Sequence, residues 1–271
     1  MNIKAFNEDR IVTRSNNPVV KQYENSVKQH KRILIKISGE IFLSSYFIEQ
    51  VDNNKNKQFD DTNLNKLCNN IINILNTGVN ISLVIGGGNI IRGKDFHGNN
   101  LIKRETADSV GMLATVINGI IVRDVLKQHN IDAEIVSPLD LPFDIKKLNT
   151  FTLNKLISKN KLIIFVGGLG VPYFSTDTIS VVGASLSHCD VILKATKTDG
   201  VYDKDPKIYQ DANHLDNITY DYAIQNNLQI MDDTAFSLAK QLNIPIYIFS
   251  IFEDNCFVKA LNRSISMSIV N

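Results

Sequence analysis

From residue 32 onward, short runs of β-branched and aliphatic residues that end near glycine alternate with longer stretches whose apolar positions recur at helical spacing. The runs predict strands at Ile33–Ile37, Ile81–Ile85, Ala133–Val136, Leu162–Val166, Val191–Lys194 and Ile246–Phe249. The stretches between and after them predict helices over about Asn63–Asn76, Thr106–Gln128, Asn149–Lys159, Thr178–Ser187, Asp232–Leu242 and Asn255–Leu261. Parallel strands need long crossovers, so this alternation reads as βαβ units and an α/β fold with a central, mainly parallel sheet. Two stretches stand apart. Residues 1–30 are polar and mixed in charge, with Glu8, Asp9 and Glu24 among the bases, and have no continuous apolar core. That argues against a secretory signal, and the acids count against an organellar transit peptide, so the expectation is an N-terminal extension on one domain spanning 31–271. The run Asp52–Lys57 has no apolar periodicity and reads as a solvated insertion.

Composition adds exclusions. With 271 residues, 44% of them hydrophobic, the chain can bury a core of ordinary globular size. Its net charge of +1 leaves no excess positive field, so no nucleic-acid partner is expected. The apolar stretch Leu162–Phe174 is interrupted by three glycines and a proline, and no membrane-spanning segment is expected. Cys68, Cys189 and Cys256 are far apart and odd in number, which speaks against a disulfide framework or a zinc site and for a reducing, cytoplasmic setting. His30, His97, His129, His188 and His214 are scattered and read as structural or solvated.

The candidate chemistry falls where predicted strands end, which is where open α/β sheets bind ligands. Lys36-Ile37-Ser38-Gly39 follows the first strand and offers a cation, a hydroxyl and a glycine, although a plain strand-to-loop turn has the same composition. Gly86-Gly87-Gly88-Asn89-Ile90-Ile91-Arg92-Gly93 follows the second. Three glycines let amides approach an anion, and Arg92 adds a planar donor fork; a tight turn is the alternative. The spacing is neither that of a dinucleotide fingerprint nor that of a P-loop.

After the fourth strand comes Gly167-Gly168-Leu169-Gly170-Val171-Pro172-Tyr173-Phe174-Ser175-Thr176-Asp177. Its Ser175 and Thr176 suit either a phosphate at a helix start or an ordinary helix cap. The fifth strand opens into residues 194–205, with Lys194, Lys197, Lys204, Asp199, Asp203 and Asp205 around Asp199-Gly200, itself a favourable hairpin turn. There Tyr202 could face a flat base and Lys194 a phosphate. Two lysine-bearing strand ends and two glycine-rich loops together describe a site for several phosphate groups.

On these segments the chain resembles the bacterial-type UMP kinases of the amino acid kinase family over about residues 31–265. The residues that carry the resemblance are Arg32 to Glu40, Val84 to Gly93, Asp108 to Asn118, Phe174 to Asp177, Lys194 to Tyr202 and Ile230-Met231-Asp232. The resemblance implies an αβα three-layer sandwich, a homohexamer, and transfer of the γ-phosphoryl group of ATP, carried with Mg²⁺, to UMP. It implies catalytic roles for Lys36, Arg92, Asp177 and Lys194, with Asp177 orienting the two lysines. ATP would be held by Lys36, Ile37, Ser38, Gly39, Gly88, Arg92, Thr196, Tyr202 and Asp205. UMP would be held by Gly87, by Asp108 at the ribose, and by Leu169, Gly170, Val171, Pro172, Tyr173, Phe174, Ser175 and Thr176.

The sequence departs from the family at three places. Leu169 and Val171 stand where the family usually has Thr and Asn, which removes a hydroxyl and an amide from the nucleobase side. Leu43 to Gln58 replaces a segment that in many relatives contributes to a GTP effector site. The first thirty residues exceed what the family needs before its first strand. Two other readings remain at this point: a kinase of the same fold with a carboxylate, carbamate or phosphonate acceptor, and a non-catalytic nucleotide- or anion-binding protein of the storage type.

Overall fold

All six apolar runs form strands, each extended by at most two residues at its ends or shortened by one. In the computed structural model, which describes residues 30–42, 61–91, 102–228 and 230–271, they belong to one nine-stranded sheet. The strands are β1 (Arg32–Ile37), β2 (Asn80–Ile85), β3 (Ala133–Ser137), β4 (Lys146–Lys147), β5 (Leu162–Phe165), β6 (Val191–Thr196), β7 (Asn217–Ile218), β8 (Ile246–Ser250) and β9 (Met267–Val270). Their order is β4-β3-β5-β2-β1-β6-β8-β9-β7, and every neighbouring pair is parallel except β8 with β9. The N-terminal extension up to residue 29, the Asp52–Lys57 insertion and the Leu43–Gln58 departure lie outside the described residues.

The helices are α1 (Asp61–Leu75), α2 (Arg104–Gln128), α3 (Thr150–Ser158), α4 (Thr176–Leu186), α5 (Tyr220–Gln225), α6 (Asp233–Leu242) and α7 (Cys256–Leu261), and a 3₁₀ turn runs over Gly39–Phe42. Two apolar clusters divide them into layers. Ile33, Ile35 and Ile37 share one cluster with residues of α1, α2 and α7, whereas Leu34 lies in the other with residues of α3, α4, α5 and α6. Because side chains alternate along a strand, the central strands are apolar on both faces, as a parallel sheet covered by helices requires. This is the mainly parallel α/β sheet expected from the pattern, in the three-layer αβα arrangement that the resemblance implies. The elements that pattern alone did not predict are β4, β7, β9 and α5, which span two to six residues.

Helix α2 is, by length and composition, apolar enough to cross a membrane. One side of it buries Ala107, Ala114, Thr115, Val116, Asn118, Gly119, Val122 and Leu126 within the fold. Its other side leaves Val110, Leu113 and Ile117 exposed.

The sheet order places the chemistry. The four motif-bearing loops follow β5, β2, β1 and β6, which are contiguous in the sheet although their sequence order is 1, 2, 5, 6. β1 lies between β2 and β6, so the order of connections reverses there, and such switch points are where open α/β sheets bind ligands at their carboxyl ends.

Candidate active site

The register of β1 against β6 sets Lys36 directly beside Lys194. Both side chains lie on the face shared with Leu34 and Ile192, where α4 begins. The Asp177 carboxylate in the first turn of α4 meets both ammonium groups through one oxygen, Oδ1, at 2.8 Å from Lys36 Nζ and 2.7 Å from Lys194 Nζ. All three side chains are at most 14% exposed. Burial alone would push the Asp177 carboxyl up, but the two lysines outweigh it and hold it at about 2, so it stays ionised at any working pH. Burial, reinforced by the adjacent Lys36 charge, lowers Lys194 to about 8 against the pull of Asp177. Two cations share one anion, and the residual positive charge is what a phosphate chain would meet.

Ser175 caps α4, its Oγ accepting the Asp177 N–H at 2.9 Å, and the same hydroxyl donates to Asp232. Thr178 also donates to Asp232, whose Oδ1 accepts the Ala235 N–H at 2.8 Å and so caps α6. One carboxylate thereby joins the starts of two helices and fixes the turn that carries Asp177. Asp232 lay in a motif quoted above, yet no role was assigned to it; its partners Ser175 and Thr178 are 57 and 54 residues away in sequence.

The loops after β1 and β2 pack backbone against backbone. A side chain at Gly39 would collide with the Gly86 carbonyl, and a Cβ at Gly87 would sit 2.7 Å from Ala114 Cβ and 2.9 Å from the Gly111 carbonyl of α2. Glycine is therefore required at both positions. Asn118, fully buried on α2, donates to the Gly86 carbonyl and pairs reciprocally with Asn89 at 2.7 and 3.0 Å. One turn earlier, Thr115 Oγ1 accepts the Gly167 N–H at 2.8 Å. Thus α2 holds the glycine loops of both β2 and β5. Thr115 and Asn118 also went without a role; the signal for them is a polar pair at i, i+3 on the buried side of an otherwise apolar helix.

On the other side of β1, Glu40 pairs with Lys197 at 2.8 Å, tying the first loop to the last. In that last loop Thr196 donates to the Thr198 carbonyl, Tyr202 donates to Asp199, and exposed Asp205 accepts the Lys207 N–H. Residues 201–203 and 213–215 run side by side around the Tyr202–His214 bridge, so Asp199-Gly200 does not close a hairpin. Ser38 Oγ accepts the Glu40 N–H, and Ile37 is buried at the strand end. Arg92 lies outside the described residues.

The loop after β5 reaches back to the start of α2. Tyr173 has a φ of +76°, a left-handed conformation that costs a bulky residue about 1–3 kcal/mol. Its N–H donates to Asp108 Oδ2 at 2.8 Å, its hydroxyl donates to Glu105 at 2.5 Å, and the Arg104 guanidinium lies 4.9 Å from the ring centre. Leu169 packs against the apolar cluster of the α4 layer, while Val171 and Phe174 are exposed. Four neighbouring strand ends, two lysines, an organising carboxylate and two glycine loops thus lie along one end of the sheet, a set of groups suited to polyanions.

Residues 31–250 match the amino acid kinase family. The chain is similar to the uridylate kinase of Campylobacter hominis, 36% identical over 236 residues, which are 87% of this chain and 96% of that protein. It is also similar to the uridylate kinase of Francisella tularensis subsp. holarctica, 37% identical over 231 residues, 85% of this chain and 89% of that protein. Its fold superposes on the crystal structure of UMP kinase from Ureaplasma parvum with a TM-score of 0.79 at 33% identity, covering 89% of this chain and 98% of that one. The UMP kinase from Bacillus anthracis gives a TM-score of 0.80 at 29% identity, covering 89% and 96%.

The lowered Lys194 makes anion binding depend on pH. Below about 8 its ammonium is charged in the free protein; above that it becomes neutral, whereas a bound polyphosphate favours the charged form. Calorimetric titration with tripolyphosphate should therefore show affinity about tenfold weaker at pH 9 than at pH 7. Equal affinity at the two values would contradict the assignment of Lys194 to the anion site.

Proposed function

The chain belongs to the amino acid kinase family, and within it we infer that the protein is a UMP kinase, transferring the γ-phosphoryl group of ATP to UMP to give UDP and ADP. The observation that carries this reading is the Lys36–Asp177–Lys194 cluster at the ends of four contiguous strands. It is supported by the uridylate kinases that align along most of the chain.

The chemistry asks little of the protein in covalent terms. The second pKa of a phosphate monoester is near 6, so the UMP phosphate is mostly a dianion at neutral pH and needs no general base. One of its oxygens attacks the γ-phosphorus, the bond from that phosphorus to the ADP oxygen breaks, and charge spreads over a loose transition state. The obstacle is the approach of two anions. Lys36 and Lys194 offset that repulsion with fixed charges, and Asp177 keeps both oriented before substrate arrives, so little reorganisation accompanies the reaction. The start of α4, with its amides and helix dipole, adds positive potential on the same side.

For ATP, the proposal assigns Lys36, Ile37, Ser38, Gly39, Gly88, Arg92, Thr196, Tyr202 and Asp205; for UMP it assigns Gly87, Asp108 and residues 169–176. Asp108 faces the acceptor loop, to which it is already bonded through the Tyr173 amide. The exposed Val171 leaves backbone groups of that loop to recognise the base. Magnesium would enter with ATP, and the positive charge it supplies would add to the fixed charges of Lys36 and Lys194.

The proposal extends to assembly as a homohexamer in the cytoplasm. Its support is the uncovered apolar side of α2, where Val110, Leu113 and Ile117 would pack against a second copy, and three buried free thiols. Light scattering should give the mass of six protomers, and Leu113→Glu should reduce it; a wild-type monomer would contradict this part.

The direct test incubates the protein with Mg·ATP and, separately, UMP, CMP, dTMP, aspartate and acetylglutamate, identifying each product. UDP from UMP is expected, and Asp108→Ala should weaken UMP binding more than ATP binding. Phosphorylation of another acceptor in place of UMP would overturn the reading.

A further inference from the structure

Glu105 has no part in the assignment above, yet it holds the most strained residue of the acceptor loop. It stands in the first turn of α2, three residues before Asp108 and therefore on the same side of the helix. Its Oε1 accepts the Tyr173 hydroxyl at 2.5 Å, a contact spanning 68 residues of sequence. That bond holds the Glu105 carboxyl below its ordinary value and raises the Tyr173 phenol. The tyrosine is 53% exposed, so burial does not keep its ring in place. What offsets the cost of the left-handed backbone at φ +76° is a small set of polar contacts: the hydroxyl to Glu105, the amide to Asp108 and the Arg104 guanidinium over the ring.

If Asp108 serves the acceptor ribose, its carboxylate has to be shared between that ribose and the Tyr173 amide. Its other neighbour, Arg104 Nε at 3.7 Å, is an exposed and weak ion pair. Glu105 itself carries no assigned acceptor contact, so its bond to the Tyr173 hydroxyl can hold the loop through the exchange.

We infer that Glu105 is a positioning residue of the acceptor site, acting through the Tyr173 hydroxyl to hold the loop 167–176 against the start of α2 while Asp108 turns to the acceptor ribose. The inference rests on the UMP reading and deepens it. It also bears on specificity. Leu169 and Val171 offer no side-chain hydrogen bond to a base, so recognition falls on backbone groups whose placement depends on this anchor. An acid in the first turn of a helix is favourable to the helix dipole wherever it points, and that is the competing explanation for Glu105. Glutamine separates the two, since its amide oxygen can accept the tyrosine hydroxyl while its side chain carries no charge.

The test measures steady-state kinetics for UMP and ATP with wild type, Glu105→Ala, Glu105→Gln, Tyr173→Phe and the Glu105→Ala/Tyr173→Phe double variant. Loss of one exposed charge-assisted bond should raise KM for UMP about 2- to 10-fold in Glu105→Ala and Tyr173→Phe, with kcat and the KM for ATP within about twofold. The double variant should be no worse than either single one, and Glu105→Gln should recover most of the loss. Amide exchange across residues 169–174 of the nucleotide-free protein should quicken in both single variants. An unchanged KM for UMP, or equal losses for UMP and ATP, would overturn the inference while leaving the UMP reading in place. A wild type that does not phosphorylate UMP would remove both.

Discussion

Two ammonium groups fixed side by side on adjacent parallel strands repel each other, and this sheet tolerates them only because Asp177 lies between them. The register that aligns Lys36 with Lys194 belongs to the backbone, so both side chains start from neighbouring positions on one face of the sheet. The cost of burying three charges is offset by two short ion pairs through one oxygen, with Lys194 drawn to a lower pKa as the remaining signature. A net positive cluster at the mouth of an open sheet is poorly satisfied when empty and better satisfied by phosphate. The same arrangement that strains the free protein therefore favours the reacting phosphates.

The rest of the fold serves to hold that cluster's surroundings. Asp232 fixes the turn from which Asp177 projects, and α2 acts as a template for the glycine loops through Thr115, Asn118 and the close approach at Gly87. Rigid elements thus position the phosphate side of the crevice. The loop proposed for the acceptor is different: it is exposed, carries a left-handed tyrosine and is anchored by polar contacts at the start of α2. A fixed electrostatic centre beside an exposed loop suits direct transfer between two nucleotides, because the charges stay in place while both are bound and the loop can open for substrate and product.

Much of this was legible in the sequence because the central strands are covered on both faces and so read as continuous apolar runs ending in glycine. β4 and β7, at two residues each, carry no period to detect, and β9 gives a four-residue signal whose antiparallel pairing with β8 breaks the βαβ rhythm. Lys36, Asp177 and Lys194 were found as residues, and the resemblance supplied their pairing; neither composition nor spacing could have set the register of β1 on β6. Glu105, Asp232 and Asn118 escaped for one shared reason. Each is an ordinary polar residue locally and acquires its meaning only from partners brought near by the sheet order. The membrane-like composition of α2 misleads in the opposite direction, since one side of that helix is core and the other is an uncovered apolar surface.

The central claim is that one carboxylate organises the two lysines for phosphoryl transfer, and the most direct measurement is the turnover of Asp177→Asn with Mg·ATP and UMP. Breaking a buried ion pair from one side also weakens a fold, by about 3–5 kcal/mol. Turnover is accordingly read on protein whose far-UV spectrum and gel-filtration volume match the wild type. The account predicts a fall of about 10²- to 10³-fold in kcat, the scale of losing a preorganised electrostatic contact. Turnover close to that of the wild type in a folded Asp177→Asn protein would contradict it.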